Sequence, residues 1–513
     1  MTATPAAPAT PGARAAAAMA GASAAAMRAI GTGAAGRRHA DERVAVVGLG
    51  ATGVSCVRFL AGHGARVEAW DTREDPPGAR ELRSALPDIP MHLGPIDEKA
   101  LDGVDWIALS PGMPRSEPAL ARAVSRGVPV LGDIEIFARH RHAVMPGART
   151  IAITGTNGKS TVTEMAGEMS RRAGLRTLVA GNIGLPVLDA LGEVEAGKGA
   201  AAPQAIVLEL SSFQLESTAS LCPDAAAMLN LSEDHLDRYA GIAEYGAAKA
   251  RIFQGDGIQV LNRDDPASMA MRIDGRVLHS FGVDRPAGGL DWGVAVGGAG
   301  GPAAAGPWLA QGGERLIPVS DLPVPGLHNV SNALAALALA RAIDLPYAPL
   351  LDALRGFRGL PHRMQCIAEL DGVGYYDDSK GTNVGATVAA LSGFPKPVVL
   401  IAGGDGKGQD FSPLAPVVAK AARAVVLIGV DGERIARALD GIPVPVERAP
   451  TLEAAVERAR ELARSGDAVV LSPACASHDM FRNYVHRAQV FLKAVSALQP
   501  LPAGGGSAGE GGR

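Results

Sequence analysis

A glycine turn that carries a lysine and two hydroxyl residues lies between an apolar stretch and a helical pattern. Its residues are Gly155, Thr156, Asn157, Gly158, Lys159, Ser160 and Thr161. Glycines at such a turn let backbone N–H groups approach a phosphate, and the helix N-terminus adds a positive dipole end. Lys159 would then reach the β- and γ-phosphates, and Ser160 or Thr161 would hold Mg²⁺. Because Ile153 replaces the first glycine of the longer phosphate-loop pattern, an ordinary turn with a solvent lysine is the alternative.

Three other polar residues could complete a phosphate-transfer site. Glu209 stands inside the apolar stretch 206–210, where a carboxylate is costly unless it is paired or bound to a metal. It is therefore a candidate Mg²⁺ ligand, and an exposed acid on an edge strand is the alternative. His235 lies among acids and fits a surface loop equally well. Lys249 lies among alanines in a helical pattern, which taken alone is typical of a surface lysine.

Three further positions leave their roles open. Asn329 and Asn332 are three residues apart at the start of a helical run, so both would face the same way. They could cap that helix or contact a ligand. Lys407 stands in a glycine turn that follows an apolar strand, where a plain surface lysine is the alternative reading.

A second glycine motif lies near the N-terminus. Gly48, Gly50 and Gly53 match the G-x-G-x-x-G turn between a strand and a helix, and Asp71 follows about 20 residues later. Taken alone, this pattern predicts a nicotinamide-dependent oxidoreductase. The motif itself indicates only that a ligand with a diphosphate could bind at the helix N-terminus.

Strands alternating with helices along the chain predict an α/β protein of three domains, because 513 residues exceed what one core usually holds. We expect a Rossmann-like N-terminal domain, a central phosphate-loop ATPase-like domain and a Rossmann-like C-terminal domain. The predicted segments are a disordered tail at 1–40, domains at 41–147, 148–356 and 357–499, a loose insertion at 284–315, and a second disordered tail at 500–513.

Composition excludes several classes of partner. A net charge of -4 provides no basic field for nucleic acid or an anionic membrane. No apolar stretch is long and unbroken enough to span a bilayer. The four cysteines form no C-x-x-C pair, which is typical of reduced thiols in a cytoplasmic protein.

Taken in order, the motifs of this chain resemble those of the Mur ligase family, the ATP-dependent amide-bond ligases of peptidoglycan synthesis. The motifs are 155–161, 209–212, 230–237, 248–249, 328–332, 362–363, 378–380 and 404–407. The stretches 48–55, 378–383 and 472–481 are most similar to the branch that adds D-glutamate. Gly381 and His478 depart from that branch's usual residues but remove no charged contact.

The resemblance implies that ATP phosphorylates the L-alanyl carboxylate of UDP-N-acetylmuramoyl-L-alanine. The amine of D-glutamate would then attack the acyl phosphate. It also implies two Mg²⁺ ions, and CO₂ to carbamylate Lys249. We expect a cytoplasmic monomer that acts on small molecules. The alternatives are another Mur ligase or a folylpolyglutamate-synthetase-like ligase and, less favoured, the oxidoreductase.

The resemblance assigns residues to five roles. Catalysis is assigned to Lys159, His235 and Lys249. ATP binding is assigned to 155–161, Asn329, Asn332, Arg363 and Asp378. The UDP-sugar is assigned to Gly50, Ala51, Thr52, Asp71, Thr72, Arg73, Gly112 and Asn182. D-glutamate is assigned to Lys380, Thr382, Lys407, Ser477, His478 and Tyr484. The metal ions are assigned to Ser160, Glu209, His235 and Lys249.

Overall fold

The computed structural model describes residues 39–197, 201–296, 306–324, 326–392 and 394–498. Three sheets, each flanked by helices, follow one another along the chain, which confirms the predicted α/β class. The predicted disordered tails lie outside the described residues, except that residues 39 and 40 are described. His39 is buried, although the prediction placed it in the disordered tail.

The N-terminal sheet has five parallel strands in the order β3-β2-β1-β4-β5. Its strands are β1 (Arg43–Val47), β2 (Arg66–Asp71), β3 (Met91–Leu93), β4 (Trp106–Leu109) and β5 (Val130–Leu131). Its helices are α1 (Ala51–Gly62), α2 (Ala79–Ala85), α3 (Pro118–Ser125) and α4 (Asp133–Val144). The buried apolar runs of β1 and β4 suit parallel strands that are covered on both faces.

The central sheet has nine strands in the order β14-β13-β12-β11-β10-β9-β6-β8-β7. Its strands are β6 (Arg149–Thr154), β7 (Thr177–Gly181), β8 (Ala205–Glu209), β9 (Ala225–Met228), β10 (Ile258–Asn262), β11 (Leu278–Phe281), β12 (Asp291–Ala295), β13 (Trp308–Gln311) and β14 (Glu314–Pro318). Its helices are α5 (Lys159–Arg172), α6 (Val187–Glu195), α7 (Ser212–Glu216), α8 (Ile242–Ala250), α9 (Pro266–Met269), α10 (Leu327–Ala342) and α11 (Tyr347–Gly356). Strands β6 to β12 are parallel, so the segments after β6, β8 and β9 meet at one edge.

The C-terminal sheet has six strands in the order β15-β16-β20-β17-β18-β19. Its strands are β15 (Gln365–Leu370), β16 (Val373–Asp377), β17 (Val398–Gly403), β18 (Ala422–Ile428), β19 (Val446–Arg448) and β20 (Ala468–Leu471). Its helices are α12 (Val384–Leu391), α13 (Leu414–Ala421), α14 (Gly432–Ala438), α15 (Leu452–Leu462) and α16 (Tyr484–Ala497). Only β15 runs antiparallel to its neighbour, so the ends of β16, β17 and β20 also share one edge.

The expectation of a loose insertion at 284–315 was wrong for its described parts. Strands β12 and β13 and the start of β14 form an antiparallel extension of the central sheet. Trp292 is fully buried there and packs in one core cluster with Leu309 and Ile317. The prediction failed because the strands are short and separated by glycine and alanine, so their alternation is hard to see in the sequence.

The helix that begins at the glycine turn is held between apolar layers. Val162, Met165 and Met169 of α5 are buried, and they share a core with the apolar residues of helix α10. Burial of these side chains fixes the direction of α5 and therefore the position of its first residue, Lys159. Among the described residues, no helix combines the length and the apolar character needed to cross a membrane.

Candidate active site

The glycine turn at 155–158 has a conformation that its sequence requires. Gly158 has a φ of +84°, in the left-handed region that favours glycine. A Cβ atom there would lie 2.5 Å from Oδ1 of Asn332. The backbone N–H of Asn157 donates to Oδ1 of Asn230 at 2.8 Å, and Nδ2 of Asn230 donates to the carbonyl of Asn157 at 3.1 Å. The turn is therefore held from the segment after β9.

Lys159 folds back over this turn. Its Nζ donates to the carbonyls of Gly155 at 3.0 Å and Thr156 at 2.8 Å. Burial lowers the pKa of Lys159, although the carboxylates of Glu209 and Asp234 act in the opposite direction. The alternative of a solvent lysine is excluded by these contacts.

Glu209 is the last residue of β8, which lies between β6 and β7, so it is not on an edge strand. It is 2% exposed, and its Oε1 accepts from Nδ2 of Asn182 at 2.8 Å. Its Oε2 is buried and has no hydrogen-bond partner among the described residues. Burial raises the pKa of Glu209, but Lys159 and Asn182 outweigh this and hold it below its ordinary value. Glu209 is thus a buried carboxylate with one oxygen available.

Lys249 on α8 is 1% exposed, so the reading of a surface lysine was wrong. Its Nζ donates to the carbonyl of Gly155 at 2.8 Å and lies 4.5 Å from the centre of the Tyr245 ring. Burial, together with the nearby charge of Lys159, brings the pKa of Lys249 well below its ordinary value. A lysine in this environment has a much larger neutral fraction than a surface lysine.

His235 and Asp234 follow β9, at the same sheet edge. The ring of His235 lies edge-on to Phe213, with centroids 4.7 Å apart. Burial lowers the pKa of His235 to about 4, so its imidazole is neutral at pH 7. Asp234 forms an ion pair with Lys407 and accepts from Nδ2 of Asn383 at 3.2 Å. Asp234 is thus nearly buried, whereas the side chain of His235 stays 31% exposed in the same loop.

A cavity of about 150 Å³ opens beside the glycine turn. Its lining includes all four ATP residues predicted outside the turn, namely Asn329, Asn332, Arg363 and Asp378. The N-cap residue of helix α10 is Gly326, which has no side chain to cap it, so the two asparagines do not cap this helix. A neighbouring cavity of about 490 Å³ shares Asn329 and Arg363 and continues between apolar side chains.

Asp378 directly follows β16 and lines the smaller of these two cavities. Its Oδ2 accepts from Oγ of Ser472 at 2.7 Å, and its Oδ1 accepts from the backbone N–H of Met364 at 3.3 Å. Burial raises the pKa of Asp378 to about 7, although Ser472 and Arg363 act to lower it. Asp378 therefore titrates close to neutral pH.

Two lysines of the C-terminal domain reach the central domain. Nζ of Lys380 donates to Oγ of Ser160 at 2.8 Å, and Lys407 pairs with Asp234. Burial lowers the pKa of Lys380 to about 8, and the charge of Arg363 adds to this effect. These two of the predicted D-glutamate residues thus lie at the phosphate loop itself.

The other four predicted D-glutamate residues remain within the C-terminal domain. Thr382 lies next to Lys380 in one turn, Ser477 is buried after β20, His478 is exposed, and Tyr484 begins α16. Lys380 approaches the ring of Tyr484, at 5.8 Å from its centre. Among the described residues, no hydrogen bond or ion pair joins Thr382, Ser477 or His478 to the phosphate loop.

Arg487 links the loops that carry these residues. It is fully buried, and it donates to the carbonyls of Ser379 at 2.8 Å and Cys475 at 3.1 Å. Sequence reasoning missed it because an arginine inside a helix gives no signal. It also missed Asn230, Asp234 and Asn383, although all three stand inside the motifs at 230–237 and 378–383.

The N-terminal turn is tightly packed. Gly50 precedes α1, and Ala51 and Thr52 form its first turn. A Cβ atom on Gly53 would lie 1.8 Å from the carbonyl oxygen of Gly48, so glycine is required there. A Cβ atom on Gly48 would meet Met113, which places the turn that contains Gly112 beside the first turn.

Asp71 is fully buried at the end of β2. Its Oδ2 accepts from the backbone N–H of Leu49 at 2.7 Å and from Nη2 of Arg73 at 2.7 Å. Its Oδ1 accepts from the backbone N–H and Nε of Arg73 at 2.9 and 2.8 Å. Both oxygens are therefore engaged, while the side chain of Arg73 stays 53% exposed next to Thr72.

Asn182 is the one predicted UDP-sugar residue that belongs to the central domain. Its backbone N–H donates to the carbonyl of Glu209 at 2.8 Å, and its side chain donates to the carboxylate of the same residue. It therefore connects the predicted sugar site with the predicted metal site.

The protein alone does not assemble a dense metal centre. Among the described residues, no group of three or more His, Cys, Asp or Glu side chains comes together to hold a metal ion. Of the predicted metal ligands, Ser160 and Glu209 flank the turn, and Lys249 lies behind it. Any ion here would need phosphate or water oxygens to complete its coordination.

Three family models match the chain in the order of its three sheets. The first is the N-terminal domain of MurD-like Mur ligases, over residues 42–132. The Mur ligase middle domain matches residues 153–340, and the glutamate ligase domain of Mur ligases matches residues 362–475.

Two curated relatives are similar over nearly their whole length, and both are called UDP-N-acetylmuramoylalanine–D-glutamate ligase. The protein of Thiobacillus denitrificans is 56% identical, over 89% of this chain and 96% of its own. The protein of Nitrosospira multiformis is 54% identical, over 92% of this chain and 98% of its own.

Solved structures with low sequence identity share the fold. UDP-N-acetylmuramate-alanine ligase MurC of Thermotoga maritima has a TM-score of 0.55 at 21% identity, over 88% of this chain and 99% of that chain. MurF of Acinetobacter baumannii has a TM-score of 0.54 at 17% identity, over 89% and 92% of the two chains. These likenesses show the three-domain architecture.

Proposed function

The chain belongs to the Mur ligase family, and from this premise we propose that it adds D-glutamate to UDP-N-acetylmuramoyl-L-alanine at the expense of ATP. The single observation that carries the proposal is the similarity, over about nine-tenths of the chain, to relatives that bear this name. The ligase reading also accounts for the phosphate loop and the buried Lys249, which the oxidoreductase reading leaves without a role.

The reaction begins with a carboxylate, which is a poor acyl donor. Transfer of the γ-phosphoryl group of ATP to the L-alanyl carboxylate would give an acyl phosphate and ADP. Two anions must approach each other for this step, so cations have to screen them. Lys159 and Lys380 can screen these charges, because the ammonium group of Lys159 contacts the glycine turn and that of Lys380 contacts Ser160.

The proposal includes Mg²⁺, and the observed donors fit it. Oε2 of Glu209 is a buried carboxylate oxygen with no hydrogen-bond partner in the part of the chain that the structure describes, and hard oxygen donors suit Mg²⁺. Ser160 and Glu209 would hold one ion, and His235 with Lys249 would support a second. Bound Mg²⁺ would neutralise phosphate charge during transfer. His235, neutral at pH 7, keeps a nitrogen lone pair for this purpose.

We include carbamylation of Lys249 in the proposal. CO₂ reacts with a neutral amine, and the low pKa of Lys249 supplies that form. The carbamate would replace a cation by an anion beside Lys159. The side chain lies on the ring of Tyr245, in surroundings that would protect the carbamate from water.

The second step would be attack by the amine of D-glutamate on the acyl phosphate, with phosphate as the leaving group. The amino acid carries two carboxylates, which suits the cations Lys380 and Lys407. Thr382, Ser477, His478 and Tyr484 would complete its site. Arg487 would act as a positioning residue, because it holds both loops that carry these groups.

The substrate nucleotide would bind to the N-terminal domain. Gly50, Ala51 and Thr52 would face the diphosphate at the start of α1. Thr72 and Arg73 would face the uracil end, with Asp71 shaping their turn, and Gly112 would lie nearby. Asn182 would contact the muramoyl part next to Glu209.

We further propose a cytoplasmic monomer. All four cysteines are free thiols in the structure, which is consistent with a reducing compartment. Sedimentation velocity of the purified protein tests the monomer, and a dimer peak would contradict it.

The proposed function is tested by phosphate release from ATP with UDP-N-acetylmuramoyl-L-alanine and one of four amino acids. We expect release with D-glutamate and not with L-glutamate, L-lysine or meso-diaminopimelate. Release with another amino acid would keep the ligase chemistry and overturn the assigned acceptor. Lys159→Ala should abolish release, whereas Lys420→Ala at an exposed site of α13 should not.

A further inference from the structure

A second polar cavity, of about 450 Å³, lies between the N-terminal and central domains, on another side of α8 from Lys249. The proposed function does not use it. Its walls come from the turn after β4, from α7, and from α8 with its flanking segments. The lining residues are Pro114, Arg115, Ser116, Glu216, Arg238, Tyr239, Glu244, Ala247, Ala248 and Arg251.

Positive charge exceeds negative charge in this cavity. Arg251 donates only to backbone carbonyls, from Nε to Leu215 at 2.7 Å and from Nη2 to Thr218 at 2.7 Å. Arg238 donates to the carbonyl of Pro111 and pairs with Glu216 at 2.7 Å.

The two acids of the cavity are already engaged. The carboxylate of Glu216 binds Arg238 through one oxygen and the hydroxyl of Tyr239 through the other, at 2.5 Å. Oε2 of Glu244 accepts from the backbone N–H of Ala240 at 2.8 Å. Among the described residues, neither acid forms a close ion pair with Arg115 or Arg251, and Glu216 acts on both only at longer range, as Glu135 does on Arg251.

Arg115 is the charged residue of this cavity whose donor groups have the fewest partners. Its Nε and Nη2 are buried and have no hydrogen-bond partner among the described residues. Burial lowers the pKa of Arg115, the charge of Glu216 acts in the opposite direction, and the charges of Arg251 and Arg238 lower the pKa further, but a guanidinium remains charged at neutral pH. Unpaired buried donors of this kind are rare in folded proteins and call for a partner.

We propose that this cavity binds a phosphate-bearing anion, which Arg115 holds through its Nε and Nη2 edge. That edge of a guanidinium presents two parallel N–H groups, which match two oxygens of a phosphate. In the present conformer this edge is buried, so the proposal requires the guanidinium to turn toward the cavity when the anion binds. A phosphate can accept from Arg238 or Arg251 at the same time, which a monocarboxylate does less well. The volume also admits an organic group attached to the phosphate.

The site joins two domains and adjoins the catalytic region. Arg115 follows the turn that contains Gly112, whereas Arg251 ends the helix that carries Lys249. The guanidinium of Arg238 stacks on Phe213, whose ring touches His235. An anion in the cavity would therefore contact both domains. Only the side chains of Arg238 and Phe213 would separate it from His235 of the proposed metal site.

The test measures thermal unfolding of the full-length protein against sodium phosphate at constant ionic strength. A non-hydrolysable ATP analogue with Mg²⁺ and UDP are present throughout. They occupy the phosphate loop and the N-terminal turn, so that added phosphate cannot raise the melting temperature by binding there. We expect phosphate to raise the melting temperature of the wild type by an amount that saturates with concentration. Arg115→Gln should weaken phosphate binding at least tenfold, and Arg437→Gln, on an exposed residue of α14, should not.

Several outcomes would overturn the proposal. The first is a rise in melting temperature with phosphate that is as large in Arg115→Gln as in the wild type. The second is a rise in the wild type no larger than chloride gives. The third is a rise that is seen without the ATP analogue and UDP but disappears once they are present. Stronger binding of malonate than of phosphate would overturn the ligand class. Glucose 6-phosphate and inorganic phosphate are compared to tell a monoester from the free ion. Should Arg115→Gln fail to fold, Arg115→Lys, which keeps the charge but loses the paired donors, should bind phosphate more weakly.

Discussion

Lys407 of the C-terminal domain forms an ion pair with Asp234 of the central domain. The side chains are 12% and 8% exposed, so the pair is almost buried. Lys407 reaches it from a turn in which its own φ is +51°, and its backbone N–H donates to Asp405 at 2.9 Å. A cation predicted for the amino-acid substrate is thus held next to the phosphate loop, and its backbone conformation is unusual for a residue other than glycine.

Lys407→Ala should impair use of D-glutamate more than use of ATP. The variant removes a cation and leaves Asp234 buried without its ion-pair partner, a change that typically costs several kcal/mol. We expect the KM for D-glutamate to rise about 10- to 100-fold while the KM for ATP changes little. Steady-state kinetics with each substrate varied in turn will measure this.

The control for that variant is Lys420→Ala, on the exposed face of α13 in the same domain. It should leave both KM values unchanged. A Lys407→Ala enzyme with a wild-type KM for D-glutamate would remove Lys407 from the substrate site.

Lys249→Ala should lower kcat by about a hundredfold or more, by analogy with the loss of one fixed electrostatic group. Wild-type activity should fall in CO₂-depleted buffer and recover on addition of bicarbonate, because the carbamate forms from the neutral amine. Neither Lys249→Ala nor Lys249→Arg should respond to bicarbonate. If Lys249→Arg retains most of the activity, a positive charge is what the site requires and carbamylation is wrong.

The pH dependence of stability should carry a contribution from Asp133, which begins α4 and accepts from Nε2 of Gln214 at 3.0 Å. Burial raises the pKa of Asp133 from 3.8 to about 6 in the folded protein. The folded state therefore binds more protons than the unfolded state between these values. Protonation of Asp133 therefore adds about 3 kcal/mol to the free energy of unfolding. This contribution is fully present below about pH 4 and is lost as the pH rises through 6.

Asp133→Asn should remove this dependence, because an amide does not titrate. Urea unfolding at pH 4.5 and pH 7.5 will show it as a smaller difference between the two midpoints. Asp440→Asn, at an exposed site after α14, should keep the wild-type difference. Equal differences in the wild type and Asp133→Asn would show that Asp133 is ionised in the folded protein throughout this range.

Gly53→Ala should disrupt the N-terminal turn, because the new methyl group would overlap the carbonyl oxygen of Gly48. Backbone atoms cannot move away as a flexible side chain can, so we expect a loss of several kcal/mol. Gly62→Ala at the end of the same helix meets no atom within 4 Å and should be neutral or slightly stabilising. Thermal melts compare the two, and a Gly53→Ala protein as stable as Gly62→Ala would refute the argument.

The glycine turns and the strands that precede them could be predicted from the sequence, because backbone requirements restrict residue type at known spacings. Glu209 was also found this way, since a carboxylate in an apolar strand is conspicuous. The burial of Lys249 could not be predicted from the spacing of residues in the sequence. Its burial depends on Tyr245 and on the turn at Gly155, which approach it only in the folded protein.

The edge strands of the central sheet were missed for a related reason. Trp292 is buried because α10 and two other strands cover it, not because its neighbours in sequence alternate clearly. Contacts between domains are even harder to predict from the sequence. Nothing in the local sequence indicates that Lys380 reaches Ser160 across 220 residues.

The occupied carboxylate of Asp71 bears on how nucleotide motifs are read in genomes. A glycine turn followed by an acid at the next strand end is commonly taken to specify a ribose-binding coenzyme. Here both oxygens of that acid are used, by Leu49 and by the arginine two positions further on. An Asp-x-Arg sequence at this strand end therefore places an arginine against the carboxylate that a coenzyme's ribose hydroxyls would otherwise approach. A search that inspects this third residue would identify chains in which the acid is already engaged by its own turn.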